Sequence, residues 1–454
     1  MLSNLKKRIM GMLTLNEILK ATGGKVIRSG PGSFNGISID SRKIGQGELF
    51  VALKGDRFDG HDFLRAALEK GGGALVSKQP VETEEGKTYI YVPDTLKALQ
   101  DIARSRRLKK NIPVVAVTGS NGKTTTKELT SAILGKRYRV LKNTGNLNNH
   151  IGLPLSLAKM EDEDEAVVLE MGASRPGEIK QLCDIALPYC GVLTNIGLAH
   201  LEGFGDIETV RRTKLELLDY VKVAVVNADD VFMMEGIEVS GFKGKICRYG
   251  INNTAEVYAT DIRLHERGAS FRLHTGAQGF VEMHPKISGM FNIYNILAAA
   301  CAGSFLDIKL PDIKQAIDSF EGVPMRLELK ELNGVTVISD VYNANPASME
   351  EAVKELVRIK KGRAIAVLGD MLELGPYAGE AHRRIGRLLK ELGIDIFIAV
   401  GPLMELAASE FQGVSYTSRA SAEAGELLKE IRKQGDRVLI KGSRGMNMEK
   451  VLEG

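Results

Sequence analysis

The sequence has little of what marks an exported, membrane-spanning or nucleic-acid-binding protein. Its four cysteines, Cys183, Cys190, Cys247 and Cys301, form no CxxC pair and lack the close spacing of a metal knuckle or a disulfide framework, so reduced, buried thiols are expected. No apolar run reaches the roughly 18 residues of a membrane span. The opening MLSNLKKRIMGMLTLNEILK is basic, but its apolar stretch is short and no small-residue cleavage site follows, which points to the cytoplasm. Net charge is only +4 over 454 residues, and Lys and Arg are dispersed rather than gathered in a stripe, so a nucleic-acid partner is not expected. Internal repeats are absent, and low complexity is confined to EDEDE at 161–165, read as a solvated loop.

What is present is ordinary globular material, 44% hydrophobic and 26% charged, with length for about three domains at roughly 150 residues each. Up to residue 109 the pattern is a small α/β unit, with strand-like runs at 47–53, 74–76 and 89–92 and a helix over 95–108. From 110 strands and helices alternate: PVVAVT (113–118), a helix from Lys123, AVVLE (166–170), GVLTN (191–195) and VAVVN (223–227). This alternation is the signature of a mostly parallel sheet, which takes ligands outside the carboxyl ends of its strands, where Gly119, Glu170, Asn195 and Asn227 fall. A hairpin-like stretch over 255–284 turns at Glu266-Arg267-Gly268, and an apolar helix begins near Asn292. A third alternating unit, a second doubly wound domain, runs from Arg326 through VTVIS (335–339), RAIAVLG (363–369), DIFIAVG (395–401) and RVLIKG (437–442).

The strongest motif is VVAVTGSNGKTTTKELTSAIL, where a β-branched strand meets Gly119-Ser120-Asn121-Gly122-Lys123-Thr124 and then a helix. Glycines let backbone N–H groups turn toward an anion, and the helix N-terminus adds partial positive charge. Lys123 can neutralise β- and γ-phosphates, and the hydroxyl of Thr124 or Thr125 suits Mg²⁺. Only two residues separate Gly119 from Gly122, so the loop is shorter than a full Walker pattern.

Other polar residues admit two readings each. Glu170 and His200 follow neighbouring strands and could hold a metal or simply form polar contacts. Lys214, in RRTKLELL, is either a solvated helical lysine or a partly buried amine that stays neutral and reacts with carbon dioxide to give a carbamate. Asn292 and Asn295 could present amides to an adenine edge, and Asn292 could instead cap a helix.

With these residues in place, the chain resembles the Mur ligases of peptidoglycan assembly, ATP-dependent amide ligases with three domains. TGSNGKTTT (118–126), LEMGA (169–173), TNIGLAHLEGFG (194–205) and Lys214 are similar to the family's motifs. SIDSRKIGQGELFVALKGDRFDGHDF (38–63), NLNNHIGLPLSL (146–157), SDVYNANPASM (339–349), LGDMLELG (368–375) and VLIKGSRGMNME (438–449) look most like the members that add D-alanyl-D-alanine to UDP-N-acetylmuramoyl-tripeptide. The resemblance implies a small N-terminal α/β domain binding the UDP-sugar (1–109), a central P-loop-type domain with a mostly parallel sheet that binds ATP (110–325), and a C-terminal Rossmann-like α/β ligase domain (326–454). Ser41, Arg42, Lys54, His61 and Asn148 would help hold substrate, with Tyr342, Asn343 and Asn345 at its reacting end. Residues 119–125 (Gly119, Ser120, Asn121, Gly122, Lys123, Thr124 and Thr125), with Asn292, Asn295, Arg326 and Asp340, would hold ATP. Thr124, Glu170 and His200 would hold Mg²⁺, and Lys214 would be carbamylated, with Lys123, Lys214 and His200 in catalytic roles. A monomer without nucleic-acid or membrane attachment is implied.

The chain departs from the family pattern at Leu198, where proline is usual, at Phe291, where histidine is usual, and at Met325, where glycine is usual. Two competing readings share the phosphate loop. Folylpolyglutamate synthase has the same acyl-phosphate logic, but YNANP and a separate N-terminal domain argue against it. A nucleotide-dependent switch would need no amine-dependent turnover.

Overall fold

In the computed structural model, residues 12–79, 82–276 and 278–453 are described. The first eleven residues of the basic opening segment lie outside them. Three α/β units follow one another along the chain, each built on its own sheet. Among the described residues no helix is long and apolar enough to cross a membrane.

The first sheet has the order Lys25–Arg28, Thr88–Tyr91, Gly73–Val76, Leu49–Val51, Ile37–Ser38, parallel except at the Lys25–Arg28 edge. The helix Thr95–Leu108, capped by Asp94, closes it and continues onto the next unit: Ala98, Leu99 and Ile102 pack in the first core and Ala103 in the second.

The central sheet has nine strands, and its parallel part contains Val140–Lys142, Ala166–Glu170, Val114–Thr118, Cys190–Leu193, Val223–Asn227 and Lys245–Gly250 side by side. The middle four are wholly buried, which is why they read as unbroken apolar runs: helices cover both faces. Lys123–Leu134 and Met290–Phe305 pack on one face, and Glu178–Ala186 and Ile207–Leu215 on the other. The expected hairpin is the antiparallel extension Val257–Leu264, Ala269–Thr275, Gly279–Met283.

The third sheet orders Glu328–Leu332, Val335–Asp340, Arg437–Lys441, Ala364–Gly369, Ile396–Val400 and Val414–Ser418, parallel apart from its first strand. The acidic 161–165 segment is a loop as expected, but Asp164 is buried within it and accepts the Glu161 N–H at 2.8 Å. The carboxyl ends of Ala166–Glu170 and Val223–Asn227 in the central sheet, and of Val335–Asp340 and Arg437–Lys441 in the third, all border one cavity of about 790 Å³.

Candidate active site

The phosphate loop leaves a fully buried strand at Thr118 and enters the helix at Lys123. Its path is fixed by the end of the neighbouring strand: Ser120 N donates to Asn195 O (2.9 Å), Asn121 N to Asn195 Oδ1 (3.0 Å), and Gly197 N to Ser120 Oγ (2.8 Å). Both glycines are sterically required. Gly119 (φ 143°) and Gly122 (φ 79°) occupy backbone space hostile to side chains, and a Cβ would fall 2.0 Å from Thr194 Oγ1 at the first and 2.3 Å from Asn295 Oδ1 at the second. Lys123 folds back onto the loop, donating to Gly119 O (2.8 Å) and Ser120 O (3.0 Å). Burial lowers its pKa, Glu170 opposes that shift, and Arg326 adds to it.

Glu170 ends its strand 4% exposed. Asn143 clasps its backbone on both sides, accepting the Glu170 N–H at 2.9 Å and donating to Glu170 O at 3.0 Å, and the buried Lys127 holds the Asn143 carbonyl (2.8 Å). Asn148 Nδ2 donates to Glu170 Oε1 (2.8 Å), while Oε2 is buried with no partner. An orphaned carboxylate oxygen beside a phosphate loop fits Mg²⁺, which prefers oxygen and takes one or two carboxylates with phosphate and water completing its shell. Thr124 and His200 border the same cavity. Among the described residues no group of three or more His, Cys, Asp or Glu is arranged to hold a metal.

Lys214 sits on the helix Ile207–Leu215, whose start is fixed by Asp206 accepting the Thr209 N–H at 2.7 Å. It is not a solvated lysine: it is 2% exposed, its Nζ donates to Ala173 O at 3.3 Å, and the Phe204 ring lies 5.4 Å away. Burial first, then the charge of Lys123, lowers its pKa to about 7. The amine is therefore substantially neutral near pH 7, immediately behind Ala173, which lines the cavity. His200 has a left-handed backbone (φ 53°), lines the cavity, and pairs through Nδ1 with Glu373 of the third unit.

Asn292 and Asn295 are both 6% exposed. The capping alternative for Asn292 fails, because the helix starts at Met290 with Gly289 as its cap, and Asn292 Nδ2 instead donates to Ser288 O at 2.7 Å. Asn295 joins Asn292 to the phosphate loop: its Nδ2 donates to Asn292 Oδ1 (3.0 Å), and its Oδ1 accepts from Thr126 Oγ1 (3.3 Å).

From the third unit, the Arg326 guanidinium stacks over Tyr342 at 3.9 Å. Met325 beside it has φ 63°, a left-handed conformation that explains why glycine is usual there; this chain holds the same turn with a side chain present. Asp340 pairs with the buried Lys441 at 2.5 Å, which also holds Asn343 O at 2.9 Å. Asn345 caps the helix Pro346–Arg358 and reaches across to donate to Asn121 Oδ1 (2.8 Å), so the third unit touches the phosphate loop directly.

The cavity thus gathers residues 120–125, Asn148, Glu170, His200, Asn292, Asn295, Arg326, Asp340, Tyr342, Asn343 and Asn345. Gly119, Lys214, Ser41, Arg42, Lys54 and His61 lie outside its lining. Arg42 is exposed and paired with Asp40, and His61 spends both ring nitrogens internally, Nδ1 on Asp59 (2.6 Å) and Nε2 accepting the Ser77 N–H (3.0 Å). Sequence reasoning assigned no role to Glu373, Lys441 or Asn143. Glu373 lies in the LGDMLELG segment, whose place against His200 has no local signal.

Fold and site define a phosphate-loop α/β protein with a second doubly wound unit closing over the nucleotide side of the first. Three family models match in series: "Mur ligase family, catalytic domain" over 33–107, "Mur ligase middle domain" over 117–303 and "Mur ligase, glutamate ligase domain" over 325–444. The chain belongs to the Mur ligase family. It is 36% identical over 430 residues to the UDP-N-acetylmuramoyl-tripeptide--D-alanyl-D-alanine ligase of Bacillus subtilis, covering 92% of each chain. Among solved structures it is similar to MurF from Acinetobacter baumannii (TM-score 0.90, 32% identity, 98% of each chain). It is also similar to MurF ligase from Thermotoga maritima in complex with ADP (TM-score 0.82, 32% identity, 92% of this chain and 96% of that one).

Replacing Gly122 by alanine forces a methyl group against Asn295 at a left-handed backbone position. Affinity for ADP, measured by isothermal titration calorimetry, is expected to fall at least about tenfold, the equivalent of roughly 1.4 kcal/mol. Unchanged affinity would separate this loop from nucleotide binding.

Proposed function

We propose that this chain is an ATP-dependent ligase that joins the free amine of D-alanyl-D-alanine to the terminal carboxylate of UDP-N-acetylmuramoyl-tripeptide, making a peptidoglycan precursor. The observation that carries the reading is end-to-end likeness to ligases of that name, 36% identical over 92% of both chains. Residues 1–109 serve as the uridine-nucleotide handle, 110–325 hold ATP, and 326–454 bring the reacting ends together. The candidate site lies within one chain, which suits a monomer, and its soluble nucleotide substrates suit the cytoplasm.

A carboxylate resists attack because its charge repels nucleophiles and oxide leaves poorly. In the first step a carboxylate oxygen attacks the γ-phosphorus, and the bond to ADP breaks. Lys123, at the mouth of the phosphate loop, neutralises charge building on the transferred group, and Arg326 adds positive potential beside it. Mg²⁺, held by Glu170, His200 and Thr124, would supply charge neutralisation and alignment of the phosphates. In the second step the dipeptide amine attacks the acyl carbon, phosphate leaves with the former carboxylate oxygen, and the amine sheds a proton. Tyr342, Asn343 and Asn345, which line the cavity, would meet the reacting end of the substrate. The buried Lys214 would react in its neutral form with carbon dioxide, exchanging a latent cation for an anionic carbamate that balances the positive charge of the site.

Phosphate release from ATP with UDP-N-acetylmuramoyl-tripeptide should require D-alanyl-D-alanine, with a UDP-pentapeptide product by mass spectrometry. Turnover with a glutamate acceptor instead would favour a folate-type ligase, and hydrolysis indifferent to both additions would favour a nucleotide switch.

For Lys214 the sign of the pH effect follows from its lowered pKa: the amine is protonated and inert below about 7 and free above it. Enzyme stripped of carbon dioxide should regain activity on adding it, at a rate rising with pH through about 7. Lys214→Ala should be nearly inactive and gain nothing. A pH-independent reactivation rate, or wild-type turnover by the alanine variant, would remove the carbamate from the account.

A further inference from the structure

His200 belongs to the central unit, but its orientation is set from the third. The carboxylate of Glu373, between the strand Ala364–Gly369 and the helix Ala378–Glu391, engages its Nδ1. Nε2 has no protein partner among the described residues. The segment bearing Glu373 is fixed within its own unit: Met371 N donates to the buried His382 Nε2 (2.9 Å), and Leu372 N donates to Ser443 Oγ (2.8 Å). It also touches the central unit beside His200, where Glu373 O accepts the Glu202 N–H at 3.1 Å.

We propose that Glu373 is a positioning residue for His200, so that the cation centre is completed only when the third unit docks on the central one. The inference rests on the reading of His200 as a cation ligand. A carboxylate that accepts the Nδ1 proton fixes the tautomer with its lone pair on Nε2, the only form in which that nitrogen can bind a cation. It also stops the ring from turning, and such an outer partner is worth about 10- to 100-fold in metal affinity. Because imidazole and carboxylate come from opposite sides of the interface, a cation that needs the oriented ring favours the docked arrangement by the same factor that docking favours the cation.

The test is Mn²⁺ affinity of the full-length protein saturated with ADP, read from the electron paramagnetic resonance signal of free Mn²⁺. Glu373 is more than half exposed, so its replacement leaves the cores intact, which a thermal melt checks. Glu373→Ala should weaken Mn²⁺ binding by about 10- to 100-fold while leaving metal-free ADP affinity unchanged. Glu373→Gln, whose carbonyl still accepts the Nδ1 proton, should recover much of the loss. If His200→Ala weakens Mn²⁺ binding but Glu373→Ala leaves it unchanged or tightens it, the positioning role is overturned while His200 remains a ligand. If His200→Ala has no effect, the ligand reading fails and the inference with it.

Discussion

Two lysines held out of water, one of them beside a half-satisfied carboxylate, set the character of this site. Lys123 and Lys214 both have lowered pKa values, chiefly from burial, and Lys123 pushes Lys214 down further. Glu170 opposes the shift of Lys123, with one oxygen spent on Asn148 and the other without a partner among the described residues, while Glu178 and Glu216 oppose the shift of Lys214. Such an arrangement is costly in isolation, because buried charges gain little from one another unless each finds a counter-charge. It becomes favourable with anions to meet the lysines and a cation to meet Glu170. Phosphates would meet Lys123, Mg²⁺ would meet Glu170, and carbamylation would turn Lys214 itself into an anion.

The fold maintains it by aiming two sheets at one space. Parallel strands buried on both faces expose their polar chemistry only at their ends, and the carboxyl ends of the central and third sheets meet at the same cavity. The contact is held at several points. Asn345 reaches Asn121 at the phosphate loop, and far from it Glu266, at the tip of the central hairpin, pairs with Lys361 and Arg437 of the third unit. A site shared across units would be shielded from water only while they stay in contact, which matters for an acyl phosphate.

Much of this was legible in the sequence. Strands such as VVAVT, AVVLE and VAVVN announce themselves because double burial demands unbroken apolar runs, and their bounds match expectation nearly to the residue. Of the strands that gave no signal, Val140–Lys142, Glu328–Leu332 and Val414–Ser418 lie at sheet edges, where polar residues dilute the pattern, whereas Lys245–Gly250 lies inside the central sheet with polar Lys245 and Arg248 breaking its apolar run. The phosphate loop could be read because its glycines, lysine and threonines are contiguous. Whether Lys214 was surface or core could not, since one helical turn looks the same in either place and only packing against Ala173 and Phe204 decides it. The pairings His200 with Glu373 and Asp340 with Lys441 join residues about 170 and 100 positions apart, and nothing local encodes them.

The proposed ligation requires the cavity to activate a carboxylate by phosphorylating it. The most direct measurement is oxygen transfer: UDP-N-acetylmuramoyl-tripeptide labelled with ¹⁸O in its terminal carboxylate is turned over with ATP and D-alanyl-D-alanine, and the released phosphate is analysed by mass spectrometry. An acyl phosphate requires one labelled oxygen to pass from carboxylate to phosphate in each turnover. Release of unlabelled phosphate alongside amide product would contradict the account.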